Sequence, residues 1–301
     1  MHGLPPSDDL IARALAEDLG VEAARFLGQM PADPAVLDAD VTGAATVPDD
    51  AGFTGRIVAR EAGVVCGLAL VERTYQLLAA ASAWPEAACF PLVAEGADVS
   101  PGDSVLEIEG PVRLVLAGER TALNLLMQLS GIATEARRWQ RAAGDALTVT
   151  DTRKTLPGLR ALSKYAVRVG GAANHRAGLH DMVLIKDNHI AYSGGVTAAV
   201  EAALATHPDL EVECEADTIE QAVEAARAGA DYVLLDNMDD VTLGRAVVAV
   251  REAAAGRRCL TEASGRITFE RLPSLVATGV DRVSASALTL VRPLDFGLDA
   301  S

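Results

Sequence analysis

At 301 residues, half of them hydrophobic, the chain can bury one large core or a large and a small one. Its formal net charge of -16 opposes nucleic acid and acidic membrane surfaces, and no apolar run approaches the ~18 residues of a membrane helix. Asp8, Asp9, Glu17 and Asp18 near the start are unlike a secretory leader, so a cytoplasmic protein is expected.

The pattern opens on a helix over 8–18 and an irregular insertion over 20–40 that carries Pro31 and Pro34. Strands are expected at FTGRIVARE, PLVAEGADV, DSVLEIEG and VRLVL, a helix from Leu68 to about Ala81, and turns at Gly96 and the PGD of 101–103. This is the pattern of a small α+β domain. Its hairpin-like stretch ADVSPGDSVLEIEGP has the look of a biotinyl or lipoyl carrier, but no acceptor lysine precedes position 154. A long helix is then expected from near Gly118. From residue 147 short apolar runs alternate with helix-period segments, as in βα units around a parallel sheet. The six runs are LTVTD (147–151), MVLIK (182–186), LEVECE (210–215), YVLLD (232–236), CLTEAS (259–264) and RVSASAL (282–288), and a further strand is expected near Gly170 to His175.

Each run closes on polar, reactive residues: Asp151 with Arg153 and Lys154, then Lys186, Glu213 and Glu215, Asp236, Glu262 and Ser264, Ser284 and Ser286. In a (β/α) barrel those C-terminal strand ends converge on one site. Glu213 and Glu215 share a strand face, with Glu215 nearer the C-terminal mouth and Glu213 deeper. Of 26 basic residues only Lys154, Lys164 and Lys186 are lysine, with Lys164 expected on a helix surface. Residues 151–189 hold seven Arg or Lys against three Asp, a local +4 in an acidic chain, and also His175, His180 and His189. Such clustering suits a small polyanion. Cys66, Cys89, Cys214 and Cys259 are spaced as reduced thiols; no GxGxxG or Walker loop appears, and the histidines lack the spacing of a zinc site.

The segments GERTALNLLMQLSGIAT (118–134), DTRKTLPGLRALSKYAVRVGG (151–171), NHRAGLHDMVLIKDNHI (174–190), LEVECEADT (210–218), YVLLDN (232–237) and EASGRIT (262–268), with GRIVAREAGVVCGLAL, resemble the quinolinate phosphoribosyltransferase family in order and over nearly the whole chain. The resemblance implies an incomplete (β/α) TIM-like barrel over 123–289 and a small N-terminal α+β domain over 1–122, joined by the tail 290–301. It also implies a homodimer or a higher homo-oligomer built from dimers; the charge and hydropathy already argue against a nucleic-acid or membrane partner.

Carried over by position, the resemblance sets quinolinate against Arg120, Arg153, His175, Arg176 and Lys186, with Arg120 supplied across the dimer interface. Lys154 lies between substrate and pyrophosphate; Glu215 and Asp236 face the ribose and magnesium, which arrives with phosphoribosyl pyrophosphate (PRPP), and no organic cofactor is implied. The 5′-phosphate is expected at Ser264, Gly265, Arg266, Ala285, Ser286 and Ala287. The family usually carries glycine where Ser286 stands, and often histidine and serine at Leu290 and Val291. The implied reaction is quinolinate plus PRPP to nicotinate mononucleotide, pyrophosphate and carbon dioxide, in NAD biosynthesis. Transfer to another aromatic acid and a non-catalytic anion-binding barrel are the alternatives.

Overall fold

The computed structural model describes residues 3–301, which form two compact units. Among the described residues the first comprises 3–134, Ala161–Gly170 and Val291–Ser301, and the second Glu135–Arg160 and Gly171–Leu290.

In the first unit α1 (Asp8–Leu19) and α2 (Val41–Thr46) flank the 20–40 insertion, which is wound into two short 3₁₀ turns, Ala23–Arg25 and Pro34–Ala39. After β1 (Gly52–Ala59) and β2 (Gly63–Val64) comes α3 (Leu68–Ser82), then β3 (Ala88–Pro91), β4 (Asp98–Val99) and β5 (Ser104–Pro111). Glu95 caps α3 from a distance, its carboxylate accepting from the amides of Gly67 (2.7 Å) and Leu68 (3.2 Å) and from the Tyr165 hydroxyl (3.0 Å). The antiparallel sheet runs β3–β5–β1 and ends on the C-terminal strand Phe296–Ala300, which pairs Gly55 with Ala300. The tail also crosses α4 (Val112–Ala143) where Gly131 leaves room: a Cβ there would stand 2.4 Å from the Arg292 carbonyl.

Three expectations differ from the structure. VRLVL is the opening of α4, not a strand; Leu114 and Val115 are fully buried, and the helical period that continues to Ala143 outweighs their β propensity. Most of PLVAEGADV is turn, with strand only at its two ends. The expected domain boundary at 122 falls inside α4. Lys164, on α5 (Arg160–Val169), is also buried, with 4 % exposure.

The second unit holds β6 (Thr148–Thr150), β7 (Val183–Ile185) with α6 (Asp187–Ser193) and α7 (Val196–Thr206), and β8 (Val212–Ala216) with α8 (Ile219–Ala228). It continues with β9 (Tyr232–Asp236), α9 (Asp240–Ala253), β10 (Leu260–Ser264), α10 (Leu272–Thr278) and β11 (Arg282–Ser284). The six strands are parallel in the order β6–β11–β10–β9–β8–β7. The further strand expected near Gly170 to His175 is reduced to one parallel bridge, Ala173 to Thr150, on the outer edge of β6. Among the described residues no ladder joins Ala173 to β7, so the barrel is incomplete. Helix starts follow their sequences: Thr218 and Gln221 exchange capping hydrogen bonds at α8, and Asp239 accepts from the Thr242 amide at α9. The six strands leave their C-terminal ends on one side of this unit, where the polar residues lie.

Candidate active site

Arg153, Lys154, His175, Arg176 and Lys186 line one cavity of about 170 Å³, with Ser264 beside them. All come from C-terminal strand ends or the loops that follow. Leu184 and Leu234 give this cationic chamber an apolar wall. The Nε of Arg153 is buried and, among the described residues, has no hydrogen-bond partner. A buried guanidinium donor left unmet beside a cavity is a place for an acceptor on a ligand. Burial, and then the neighbouring Arg153, lower the pKa of Arg176 from its ordinary value.

The lysines are fixed by their neighbours. Thr289, just past β11, donates its hydroxyl to the Lys154 carbonyl at 2.8 Å, and the Lys154 amide donates to the Thr152 hydroxyl. The Lys186 amide donates to His189 Nδ1 at 2.9 Å, so His189 orients this strand end. The Lys186 ammonium pairs with Glu215 at 2.5 Å. Asp236, at the end of β9, accepts from the Asn237 side chain at 2.5 Å. Oxygen donors of this kind suit a hard cation such as magnesium.

A deeper row lies beneath the mouth. Residues i and i+2 of a strand share a face, so Glu213 stands below Glu215, Glu262 below Ser264 and Arg282 below Ser284. Glu213 and Glu262 are fully buried. Arg282 stands opposite Glu262 on the neighbouring strand, lies 3.7 Å over the Tyr232 ring, donates to Glu213 at 3.1 Å and touches Glu262 as an ion pair. His175 Nε2 lies 2.6 Å from Glu213 and 3.6 Å from Glu262, and the Arg176 amide donates to His175 Nδ1.

Burial works against charge on His175, but the two carboxylates outweigh it and raise its pKa. Burial likewise opposes ionisation of Glu213, yet His175 and Arg282 hold its pKa below the ordinary range. Glu262 goes the other way: burial, then the Glu213 charge, push it up to about 7. The ligand atoms of His175, Glu213 and Glu262 lie within 4.8 Å of one another, a spacing a metal could use, but Arg282 already supplies the positive charge between the two carboxylates.

Of the expected phosphate residues, Ser264 reaches the cavity, while Gly265 and Arg266 line a second hollow with Asn237 and Arg271. Gly265 sits at φ +84°, and a Cβ there would stand 2.3 Å from Asn237 Oδ1 and 2.9 Å from the Asn237 amide nitrogen. Asn237 and Arg266 also have positive φ, and the Asn237 amide donates to the Ser264 carbonyl. This backbone is wound tightly where β9 and β10 end. Ala285 is buried with its amide on Thr150, whereas Ser286 opens a 3₁₀ turn and Ala287 is exposed. Arg120 belongs to the first unit, on α4, with a side chain 60 % exposed beside Glu119. From the sequence Glu262 counts only as one of the converging strand-end residues, with no role, and Arg282 and Thr289 are not expected in the site, although the two-residue spacing of Arg282 to Ser284 is a usable signal.

The quinolinate phosphoribosyl transferase N-terminal domain matches residues 40–130, and the C-terminal domain of the same family matches 132–299. A nicotinate-nucleotide pyrophosphorylase [carboxylating] from Mycobacterium leprae is 40 % identical over 97 % of this chain and 96 % of its own length. The Homo sapiens protein of that name is 39 % identical over 80 % of each. The crystal structure of NadC from Streptococcus pyogenes superposes with a TM-score of 0.86 at 36 % identity, covering 99 % of this chain and 98 % of that one. With both domains matched in order and relatives at this identity aligned along most of its length, the chain belongs to the quinolinate phosphoribosyltransferase family.

Proposed function

We propose that the cavity of the second unit binds quinolinate and that the chain joins it to PRPP with loss of carbon dioxide, the reaction of NAD biosynthesis that its family name denotes. The observation that carries this reading is the unmet Arg153 Nε among the cations Lys154, Arg176 and Lys186, against an apolar wall suited to a flat ring. Each charge-assisted hydrogen bond contributes roughly 1.5–3 kcal/mol, so several of them select a dicarboxylate over a monocarboxylate by powers of ten. Arg120 reaches quinolinate from a second copy of the chain in a homodimer. Glu215 and Asp236 would face the ribose and hold the magnesium that accompanies PRPP, an ion that when bound would supply positive charge to the departing pyrophosphate. Ser264, Gly265, Arg266 and the 285–287 turn take the 5′-phosphate.

In this reading the ring nitrogen attacks the anomeric carbon as pyrophosphate leaves, and the carboxylates beside the ribose favour its positive charge. Alkylation makes the ring a pyridinium. That charge stabilises the electron pair left on C2 when carbon dioxide departs, and the pair then takes up a proton in the carboxylate's place. The protein's task is to hold the C3 carboxylate firmly with arginine and the C2 carboxylate loosely with lysine, since tight binding of the departing group would stabilise the ground state. The substrates are small metabolites, in keeping with a cytoplasmic enzyme.

The test is to mix purified protein with PRPP, magnesium and either quinolinate or nicotinate and to follow pyrophosphate and carbon dioxide. Release of both with quinolinate alone supports the reading. Pyrophosphate without carbon dioxide on another acid, or no turnover at all, overturns it.

A further inference from the structure

Among the described residues that line the cavity, Glu262 is the only acid. It is fully buried, and neither carboxylate oxygen has an aligned hydrogen bond. Charged and titratable groups face it from each side: Glu213 on β8, Arg282 on β11 with Tyr232 of β9 beneath it, and His175 from the segment beside β6. Toward the mouth stand the cations Arg153, Lys154, Arg176 and Lys186, and Lys186 is already paired with Glu215.

A charge count then constrains the cluster. Arg282 contacts both carboxylates, Glu213 at 3.1 Å and Glu262 as an ion pair, so its single charge offsets one of them and the balance rests on the protons held by Glu262 and His175, 3.6 Å apart. With one proton between them the four groups sum to zero, and with two protons to +1. An arriving dicarboxylate favours the second state, because a negative charge entering a dry pocket is stabilised by every proton that stays.

We propose that substrate binding draws one proton into the Glu262–His175 pair, so that Glu262 is a positioning residue that makes affinity for the dicarboxylate depend on pH. This rests on the cavity being the quinolinate site. Glu262, held near 7 by burial and by Glu213, can gain or lose that proton around neutrality, and His175 is shifted upward as well. The sign follows. Above about pH 7 the empty site has lost the proton and binding must restore it, so affinity falls with rising pH, by up to about tenfold per pH unit for one fully coupled proton.

The experiment is calorimetric titration of the full chain with quinolinate at pH 7.5 and 8.5, in two buffers of different ionisation enthalpy, with equilibrium dialysis as a second measure of binding. Wild type should take up close to one proton at pH 8.5, and its Kd should rise by up to about tenfold between the two pH values. Glu262→Gln should abolish the uptake and flatten the Kd. Binding with a buffer-independent enthalpy in wild type, a result that needs no variant, overturns the inference and leaves the quinolinate site intact. Uptake that persists in Glu262→Gln puts the proton elsewhere and overturns it as well. Absence of quinolinate binding by both methods removes the site reading and the inference with it.

Discussion

Replacing Glu262 by Gln should make the protein more stable in alkaline solution and leave acid stability nearly unchanged. The carboxyl has an ordinary value of 4.5 and is raised to about 7 in the fold, first by burial and then by Glu213. Between those two values the folded chain holds a proton that the unfolded chain has released. Stability is therefore fully present below 4.5 and is lost as pH rises toward 7. A gap of about 2.5 pH units at about 1.36 kcal/mol each is about 3 kcal/mol at pH 8, of which about 1 kcal/mol is already lost at pH 5.5. Gln keeps the shape of the neutral acid without titrating, so the variant's advantage should grow by about 2 kcal/mol between pH 5.5 and 8. With a urea dependence of ~2 kcal/mol per molar, that is a midpoint shift of about 1 M. Urea unfolding of both proteins at each pH checks it, with Trp139, 2 % exposed, as the reporter. A Trp84→Phe background leaves it the sole tryptophan. Stability curves that run parallel for the two proteins across this range would refute the reasoning.

Gly265→Ala should lose about 1–2 kcal/mol from the left-handed backbone alone and more from the 2.3 Å clash with Asn237; steady-state kinetics should show a raised KM for PRPP with little change for quinolinate. Lys186→Met should weaken quinolinate binding about 10- to 150-fold, the equivalent of one charge-assisted bond of roughly 1.5–3 kcal/mol, as read by dialysis. Lys186→Arg should also lower kcat, since a planar fork grips the departing carboxylate too firmly; full activity in a single-turnover assay of carbon dioxide release would count against that step. Glu95→Ala should cost about 1 kcal/mol or more in thermal unfolding, because two amides at the start of α3 and the Tyr165 hydroxyl lose their acceptor together.

The mouth of the site was legible because its residues end strands. Asp151, Lys186, Glu215 and Asp236 each close an apolar run, and the parallel fold brings such ends together whatever the details of the helices. All six parallel strands were found within a few residues, since their apolar runs are short and well punctuated. The deeper row was harder to see. Glu262 lies in the middle of β10 and Arg282 opens β11, and their meaning depends on β10 and β11 being neighbours, which no local pattern states. VRLVL failed for the opposite reason: a β-branched stretch was absorbed into a long helix whose buried face begins with it. The role of Thr289 depends on a hydrogen bond to Lys154, far away in the chain, and short-range periodicity carries no trace of it.

The order in which the two sheets are encoded has a consequence for synthesis. Ala300 pairs with Gly55, and every parallel strand of the second unit is translated between them. On the ribosome the first sheet therefore waits with one edge of β1 bare until the second unit has emerged, a non-local closure of the kind that slows folding. A nascent chain stalled before residue 296 would expose that edge to strands from its neighbours. Removal of Phe296–Ala300 should accordingly show first as insolubility during expression, ahead of any change in the chemistry of the second unit's cavity.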